Sequence, residues 1–400
     1  MSHFIVKFGL FLAFSWTALA IDSQYVSGSS SDERSPIDLR NPPNPPLGPL
    51  PNLQAIFDIS QDVPNGGCSP QQISILETAF KACIANVEQQ LLPAIAQMRA
   101  GTDSAATGWM FSYLFAISGS AKRGPNVPLS SNDEGSLGLL ENTLNAILQH
   151  SRGILKFGIG NNPAVVKTRL YCSPSWLKFQ DIYFPDPGNP TQPHYLMSQK
   201  WKDAQGNSNE IGLYFDAVSG IYAETEARRS APDPNFPLDL ASCGVNGFGI
   251  TGVRMNAVMI CPLSWGGQYN SGQNIYNFGA RLPATTSEVT IAQDITYIDD
   301  LRSIAQTLLH EYLHVVARGQ DGILDVSGPE IYGYPDCVNV ANGPSGSTDE
   351  ALGNPDNFAI LGSALLKSTY DWRDGYARNP SFWAARQPST PLTARPPPSR

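Results

Sequence analysis

The sequence has few charged residues, few histidines and few cysteines. Its charge balance and its cysteine spacing each argue against a class of function. Charged residues make up 15% of the 400 positions, and 35 acidic residues outnumber 26 basic ones without forming an acidic tail. The formal charge of −9 argues against a nucleic-acid partner. The absence of a C-x-x-C pair argues against a cysteine zinc site. After residue 20 no apolar run approaches the roughly 20 residues of a membrane helix, so we expect no membrane partner.

The N-terminus has the pattern of a secretory signal peptide. Lys7 precedes an apolar run from Phe8 to Trp16, and small residues occupy positions 18 and 20. We therefore expect cleavage after Ala20 and a soluble protein that is secreted and extracellular.

The number of cysteines is even, as expected for a protein that folds in an oxidising compartment. They are Cys68, Cys83, Cys172, Cys243, Cys261 and Cys337. We predict three disulfides, with Cys243 and Cys261 as the easiest local pair, and the sequence leaves the connectivity otherwise open.

Composition divides the chain into four segments. Residues 1–20 are the predicted signal peptide, and residues 21–66 are a Ser- and Pro-rich linker or short pro-segment. Residues 67–374 form the predicted folded domain. Residues 375–400 form a Pro-rich tail that we expect to be disordered.

Apolar spacing within the domain predicts helices at both ends and strands between them. Residues 69–100 and 135–150 have apolar side chains at helical spacing, with Ser69 as N-cap and Pro70 in the first helical position. Short apolar runs between residues 165 and 291, separated by Gly, Pro and Asn, predict strands and long loops. Helices return at residues 298–317, with Asp299 or Asp300 as cap, and at residues 355–370. The predicted fold class is α+β.

The helix at residues 298–317 contains His310-Glu311-Tyr312-Leu313-His314, an H-E-x-x-H pattern. Residues four apart on a helix project from one face, so both imidazoles can reach a single zinc ion. Glu311 is placed to act as the general base on a metal-bound water. Apolar neighbours predict a buried setting, which strengthens the field of an ion; they are Leu308, Leu309, Leu313 and Val316. The alternative is a chance match of two core or surface histidines, which this helical setting disfavours.

A second motif, GFGITG from Gly247 to Gly252, matches the dinucleotide pattern G-x-G-x-x-G. That pattern requires a strand before it and a helix that begins within it, whereas here a predicted strand follows. We interpret the segment as a glycine-rich turn.

Two histidines do not complete a catalytic zinc site, so a third ligand is expected after His314. The pattern with a third histidine fails, because Ala317 and Gln320 stand where Gly and His are required. A glutamate ligand would have to be Glu330 or Glu350, and neither lies in a predicted helix.

An aspartate from the loop after the helix is the nearer candidate for the third ligand. Gly319 can end the helix in a left-handed turn that brings the chain back toward the metal. Asp321, Asp325 and Glu330 all lie in this loop, and a flexible loop could offer any of them. Asp321 would need a very tight reversal, and Glu330 follows a proline that favours a turn.

This region resembles the deuterolysin or aspzincin family of fungal secreted zinc endopeptidases. The family signature is H-E-x-x-H followed by G-T-x-D-x-x-Y-G, in which the aspartate is the third zinc ligand. The stretch GILD, ending at Asp325, takes that place here, so the resemblance implies that His310, His314 and Asp325 bind Zn²⁺. The family's tyrosine stabilises the transition state, which implies a catalytic role for Tyr332. Two departures are an isoleucine in place of the threonine and six residues, rather than two, before the tyrosine-glycine pair.

The resemblance extends beyond the motif. It includes AVMICPLSW before the helix, YGYPDC after the ligand loop and NPDNFAIL at the start of the last helix. It covers residues 67–370 loosely and residues 298–365 well, and it implies a zincin-like metallopeptidase domain. It also implies disulfides between Cys68 and Cys172 and between Cys243 and Cys261, which leaves Cys83 with Cys337.

The expected function is that of a secreted zinc-dependent endopeptidase, a monomer acting on protein or peptide substrates. Zinc lowers the pKa of its water toward about 7, and Glu311 takes the proton and later returns it to the leaving amine. One alternative is a non-catalytic binding protein or effector on a decayed metallopeptidase scaffold, suggested by the altered tyrosine spacing. Another is a structural protein with an incidental site. The intact Glu311 argues against decay.

Overall fold

The computed structural model describes most of the chain between residues 49 and 384. The described residues are 49–124, 127–159, 162–181, 185, 212–223, 248–253, 255–266, 268–271, 274–277, 280–317, 324 and 330–384. Their helices are α1 Leu53–Ile56, α2 Pro70–Asn86, α3 Leu92–Ala100, α4 Ala105–Phe115, α5 Ser120–Arg123, α6 Ser131–Ser151, α7 Ile304–Val316, α8 Tyr334–Asn342, α9 Thr348–Leu352, α10 Pro355–Leu366 and α11 Ser381–Ala384. None of the helices in these ranges is long and apolar enough to cross a membrane.

The strands of the described residues form one four-stranded sheet and three smaller ones. The strands are β1 Phe57–Asp58, β2 Phe157–Ile159, β3 Asn162–Val166, β4 Thr168–Tyr171, β5 Lys178–Asp181, β6 Gly212–Asp216, β7 Ile221–Ala223, β8 Gly249–Gly252, β9 Ala257–Ile260, β10 Gln268–Ser271 and β11 Asn274–Asn277. The larger sheet has the order β1-β4-β9-β8, with β1, β4 and β9 parallel and β8 antiparallel to β9. The predicted α+β class is therefore confirmed.

Helix α7, which carries the H-E-x-x-H pattern, lies in the centre of the core. Every residue from Leu308 to Val316 is buried, as the apolar spacing predicts. The helix packs against α2, α6, α10 and strand β8. The hydroxyl of Tyr312 lies 2.9 Å from Nδ1 of His150, and its ring packs edge-on against Phe57. These contacts fix the helix that presents the two histidines of the pattern.

The predicted cap of this helix, Asp299 or Asp300, is wrong. Residues Ile298–Leu301 form a separate 3-10 turn, and Arg302 after it has a non-helical backbone. The α-helix begins again after Ser303, whose hydroxyl accepts a hydrogen bond from the amide of Gln306 at 3.1 Å. A serine before an apolar helical run is a typical N-cap.

The long helix predicted over residues 69–100 is confirmed, with one irregularity. Ser69 accepts a hydrogen bond from the amide of Gln72, and the Gln72 side chain accepts one from the amide of Ser69, so the predicted N-terminus has a capping box. Residues Val87–Leu91 form a π-helical turn. Pro93 follows this turn. Because proline lacks an N–H and crowds the preceding turn, a wider turn accommodates it.

Packed residues extend beyond the predicted bounds of the folded domain, residues 67 and 374, at both ends. Leu53 and Phe57, placed in the predicted linker, are buried because α1 packs on α2 and β1 pairs with β4. In the predicted tail, Tyr376 bridges to Tyr297 and Trp383 is buried. The predicted signal peptide and residues 385–400 lie outside the described residues.

The disulfide predictions have mixed outcomes. The bond between Cys68 and Cys172 is present. Cys261 is disulfide-bonded, and its predicted partner Cys243 lies outside the described residues. The predicted pair of Cys83 and Cys337 is wrong, because both are free and buried. Cys83 lies on α2 and Cys337 on α8, two different helices of the core.

Candidate metal centre

Two imidazoles of α7 and one carboxylate from the segment before α8 form a cluster. The residues are His310, His314 and Glu330, and one ligand atom of each lies within 4.8 Å of the others. Nε2 of His310 is 3.5 Å from one Glu330 oxygen, and Nε2 of His314 is 3.1 Å from the other. Both histidines are buried. The helical spacing of the motif thus places the two imidazoles side by side, as predicted.

The dimensions of the cluster fit a metal ion. Two atoms that each lie about 2.1 Å from a tetrahedral zinc ion are about 3.4 Å apart. The observed separations of 3.1 and 3.5 Å bracket this value. Two imidazoles and a carboxylate are a donor set that binds divalent first-row ions, zinc among them. The cluster could therefore hold a metal ion, although its donors do not select one metal.

Asp356 supports the cluster from the other side of His310. An oxygen of its carboxylate lies 3.5 Å from Nδ1 of His310, and its second oxygen accepts a hydrogen bond from the amide of Gly333 at 2.9 Å. Metal-binding histidines commonly donate their second N–H to a carboxylate, which fixes the ring and its tautomer. No sequence motif assigned Asp356 a role, although it lies in the NPDNFAIL stretch.

The charges of the cluster perturb the protonation of its members. Burial disfavours a charged imidazole, but hydrogen bonds to Asp356 and Glu330 raise the pKa of His310 well above its usual value. Burial also opposes ionisation of Glu330, but the two imidazoles lower its pKa overall. A metal ion would compete with protons for these groups, so metal affinity is expected to fall at acid pH.

Glu311 is a second buried carboxylate beside the cluster. Its Oε2 accepts a hydrogen bond from Oγ1 of Thr251 on β8 at 2.7 Å. Burial raises the pKa of Glu311, and the neighbouring imidazoles partly offset the shift. A carboxyl with a raised pKa holds a transferred proton more readily, as a general base must.

Tyr332 lies at the surface of the cluster. Its ring stacks on His310, with ring centroids 5.6 Å apart and planes inclined by 14°. Its hydroxyl donates a hydrogen bond to Glu330. Because 53% of the residue is exposed, the ring covers the histidine and leaves one side open to solvent. The structure therefore brings Tyr332 to the predicted site despite the longer spacing.

The predicted third ligand, Asp325, lies outside the described residues and stays a prediction. The structure brings Glu330 to the cluster instead, a residue that we set aside because no predicted helix surrounds it. Glu330 lies in the segment before α8, and a metal ligand in such a segment does not have to be part of a helix itself. Glu330 stands two residues before Tyr332, whereas Asp325 stands seven before it. The short interval between Glu330 and the tyrosine was the sequence signal that could have identified Glu330 as a ligand.

No protein-family model matches the chain, and no curated protein matches it. The resemblance to the deuterolysin family therefore depends on the motif and the sequence segments quoted above alone. The fold and the cluster define an α+β protein with a candidate metal centre.

Proposed function

We propose that the chain is a secreted zinc-dependent endopeptidase with Glu311 as its general base. Zinc would be held by His310, His314 and Glu330. The observation that carries the proposal is that two carboxylates, those of Glu330 and Glu311, lie beside the buried histidines of α7. One carboxylate faces both imidazoles at 3.1 and 3.5 Å, and the other, Glu311, is fixed beside them by Thr251. A metallopeptidase with two histidine ligands needs a third ligand and a general base, and these two carboxylates could supply them.

Each residue of the site would have a separate role in peptide hydrolysis. Bound zinc would lower the pKa of a water molecule toward about 7 and polarise the scissile carbonyl. Glu311 would accept a proton from the water that attacks the carbonyl carbon and would return it to the leaving nitrogen as the C–N bond breaks. Asp356 would hold His310 in orientation. The hydroxyl of Tyr332 donates to Glu330 at the site, and it would turn from this carboxylate to donate to the developing oxyanion.

Strand β8 supports a peptide as the substrate class. It lies at the edge of the four-stranded sheet, and no described residue pairs with its outer side. It also packs against α7 beside Glu311. An edge strand presents free N–H and C=O groups, and an extended peptide can pair with them. Such pairing would place a peptide bond close to the metal centre.

The disulfide between Cys68 and Cys172 supports secretion, because stable disulfides are typical of oxidising compartments. The resemblance to deuterolysins supports the same function and differs from the geometry in its third ligand. We take Glu330 as that ligand in the proposal, since its position in the cluster is observed.

The proposal is tested on the purified protein with an unfolded protein substrate. We expect about one zinc per chain by elemental analysis, cleavage that stops when a chelator removes the metal, and cleavage that returns when zinc is added. A folded wild type that binds zinc without cleaving any peptide would favour the non-catalytic alternative. A folded wild type that binds no divalent metal would overturn the metal centre itself.

A further inference from the structure

The GFGITG motif has a structural role that its sequence pattern did not reveal. We predicted a turn, but its residues Gly249–Gly252 form β8, so the prediction is wrong for this part. Alternate residues of a strand face the same side. Gly249 and Thr251 therefore both face α7, where each meets the side chain of Glu311.

The two strand residues contact different parts of the Glu311 carboxylate. Oγ1 of Thr251 is 2.7 Å from Oε2 and 3.1 Å from the backbone oxygen of Glu311. At Gly249, a Cβ atom would lie 2.5 Å from Oε1 and 2.8 Å from Cγ of Glu311. The glycine thus provides the space for one carboxylate oxygen, and the threonine hydroxyl binds the other.

We propose that Thr251 is a positioning residue that orients the Glu311 carboxylate, with Gly249 supplying the space. The inference rests on the proposed function, in which Glu311 moves the proton. A glutamate side chain has three rotatable bonds, and ordering it during each reaction cycle would cost conformational entropy. The hydrogen bond to Oε2 fixes the carboxylate in advance and leaves Oε1 to take the proton.

The first test compares Thr251→Val, which keeps the shape and removes the hydroxyl, with Thr251→Ser, which keeps the hydroxyl. We expect Thr251→Val to lower kcat by about 10- to 100-fold, in the range of lost general-base assistance, with KM and zinc content unchanged. Thr251→Ser should recover kcat to within a few-fold of the wild type. Thr107→Val is the control, because Thr107 lies on α4, where its hydroxyl accepts a hydrogen bond from Ser104 in the first turn of that helix. It should leave kcat unchanged.

Wild-type kcat in Thr251→Val would overturn the inference. Equal losses in Thr251→Val and Thr251→Ser would also overturn it, because they would show a packing effect rather than a hydroxyl effect.

The second test does not depend on turnover. A double-mutant cycle of Thr251→Val and Glu311→Ala in chemical unfolding measures the coupling of the two side chains. We expect about a tenfold coupling in the unfolding equilibrium constant, equal to about 1.4 kcal/mol. Zero coupling in an active enzyme overturns this inference alone. An inactive wild type overturns the proposed function and the positioning role of Thr251 in it, while the cycle still reports whether the hydroxyl holds the carboxylate.

Discussion

Replacing Glu330 by alanine should weaken metal binding more than any other change in the segment before α8. Glu330 supplies one of three protein ligands in the proposed centre, and its two oxygens face both imidazoles at 3.1 and 3.5 Å. Structural zinc sites with four ligands bind with about 10–16 kcal/mol, or about 2.5–4 kcal/mol for each ligand. Loss of Glu330 should therefore reduce zinc affinity by about 10²- to 10³-fold.

The assay is competition between the protein and a chromophoric chelator at neutral pH. Asp325→Ala is the decisive comparison, since the resemblance to deuterolysins predicts Asp325 as the ligand. Glu350→Ala is the control, because Glu350 is exposed on α9 and lies outside the cluster. We expect a large loss in Glu330→Ala and wild-type affinity in the other two. Loss in Asp325→Ala with Glu330→Ala unaffected would refute the reasoning and restore the ligand set of the family.

Three further predictions concern groups around the centre. Asp356→Asn should weaken zinc binding by about 10- to 100-fold in the same titration, since it loosens His310; unchanged affinity would contradict this role. Tyr332→Phe should retain zinc and lower kcat by about 10²-fold, whereas wild-type turnover would indicate a packing role. Burial raises the pKa of Asp299 from 3.8 to about 6. Between these pH values the folded protein therefore holds a proton on the Asp299 carboxyl that the unfolded protein has released. Stability should fall by up to about 3 kcal/mol as pH rises through 6. In urea unfolding of metal-free protein, Asp299→Asn should abolish that loss, and an unchanged pH dependence would contradict the prediction.

Much of the fold could be predicted because its signals are local in sequence. The capping box at Ser69 and the apolar spacing of α7 specify helices from neighbouring residues alone. The order of helices and strands followed from the same periodicities. The extent of the packed core could not be predicted in this way. The burial of Leu53 and Trp383 depends on partners far away in the chain. Composition identifies a Pro-rich segment but does not report which of its apolar residues pack on the core.

Helix geometry predicted only the half of the site that lies on α7, and Tyr332 was predicted through the family resemblance. His310 and His314 are placed by helix geometry, which fixes residues four apart on one face. Glu330 and Asp356 reach the cluster from segments after the helix, and their positions depend on how those segments return to it. The hydrogen bond between Thr251 and Glu311 joins residues 60 positions apart, which no local pattern specifies.

In the proposed function, Glu311 performs proton transfer at a metal centre that hydrolyses peptides. The most direct measurement is the rate of peptide cleavage by Glu311→Gln at a zinc content matched to that of the wild type. The amide keeps the shape of the side chain but lacks a basic carboxylate, so we expect full zinc occupancy and a loss of turnover of about 10²- to 10⁴-fold. Cleavage by the zinc-loaded variant at the wild-type rate would contradict the claim.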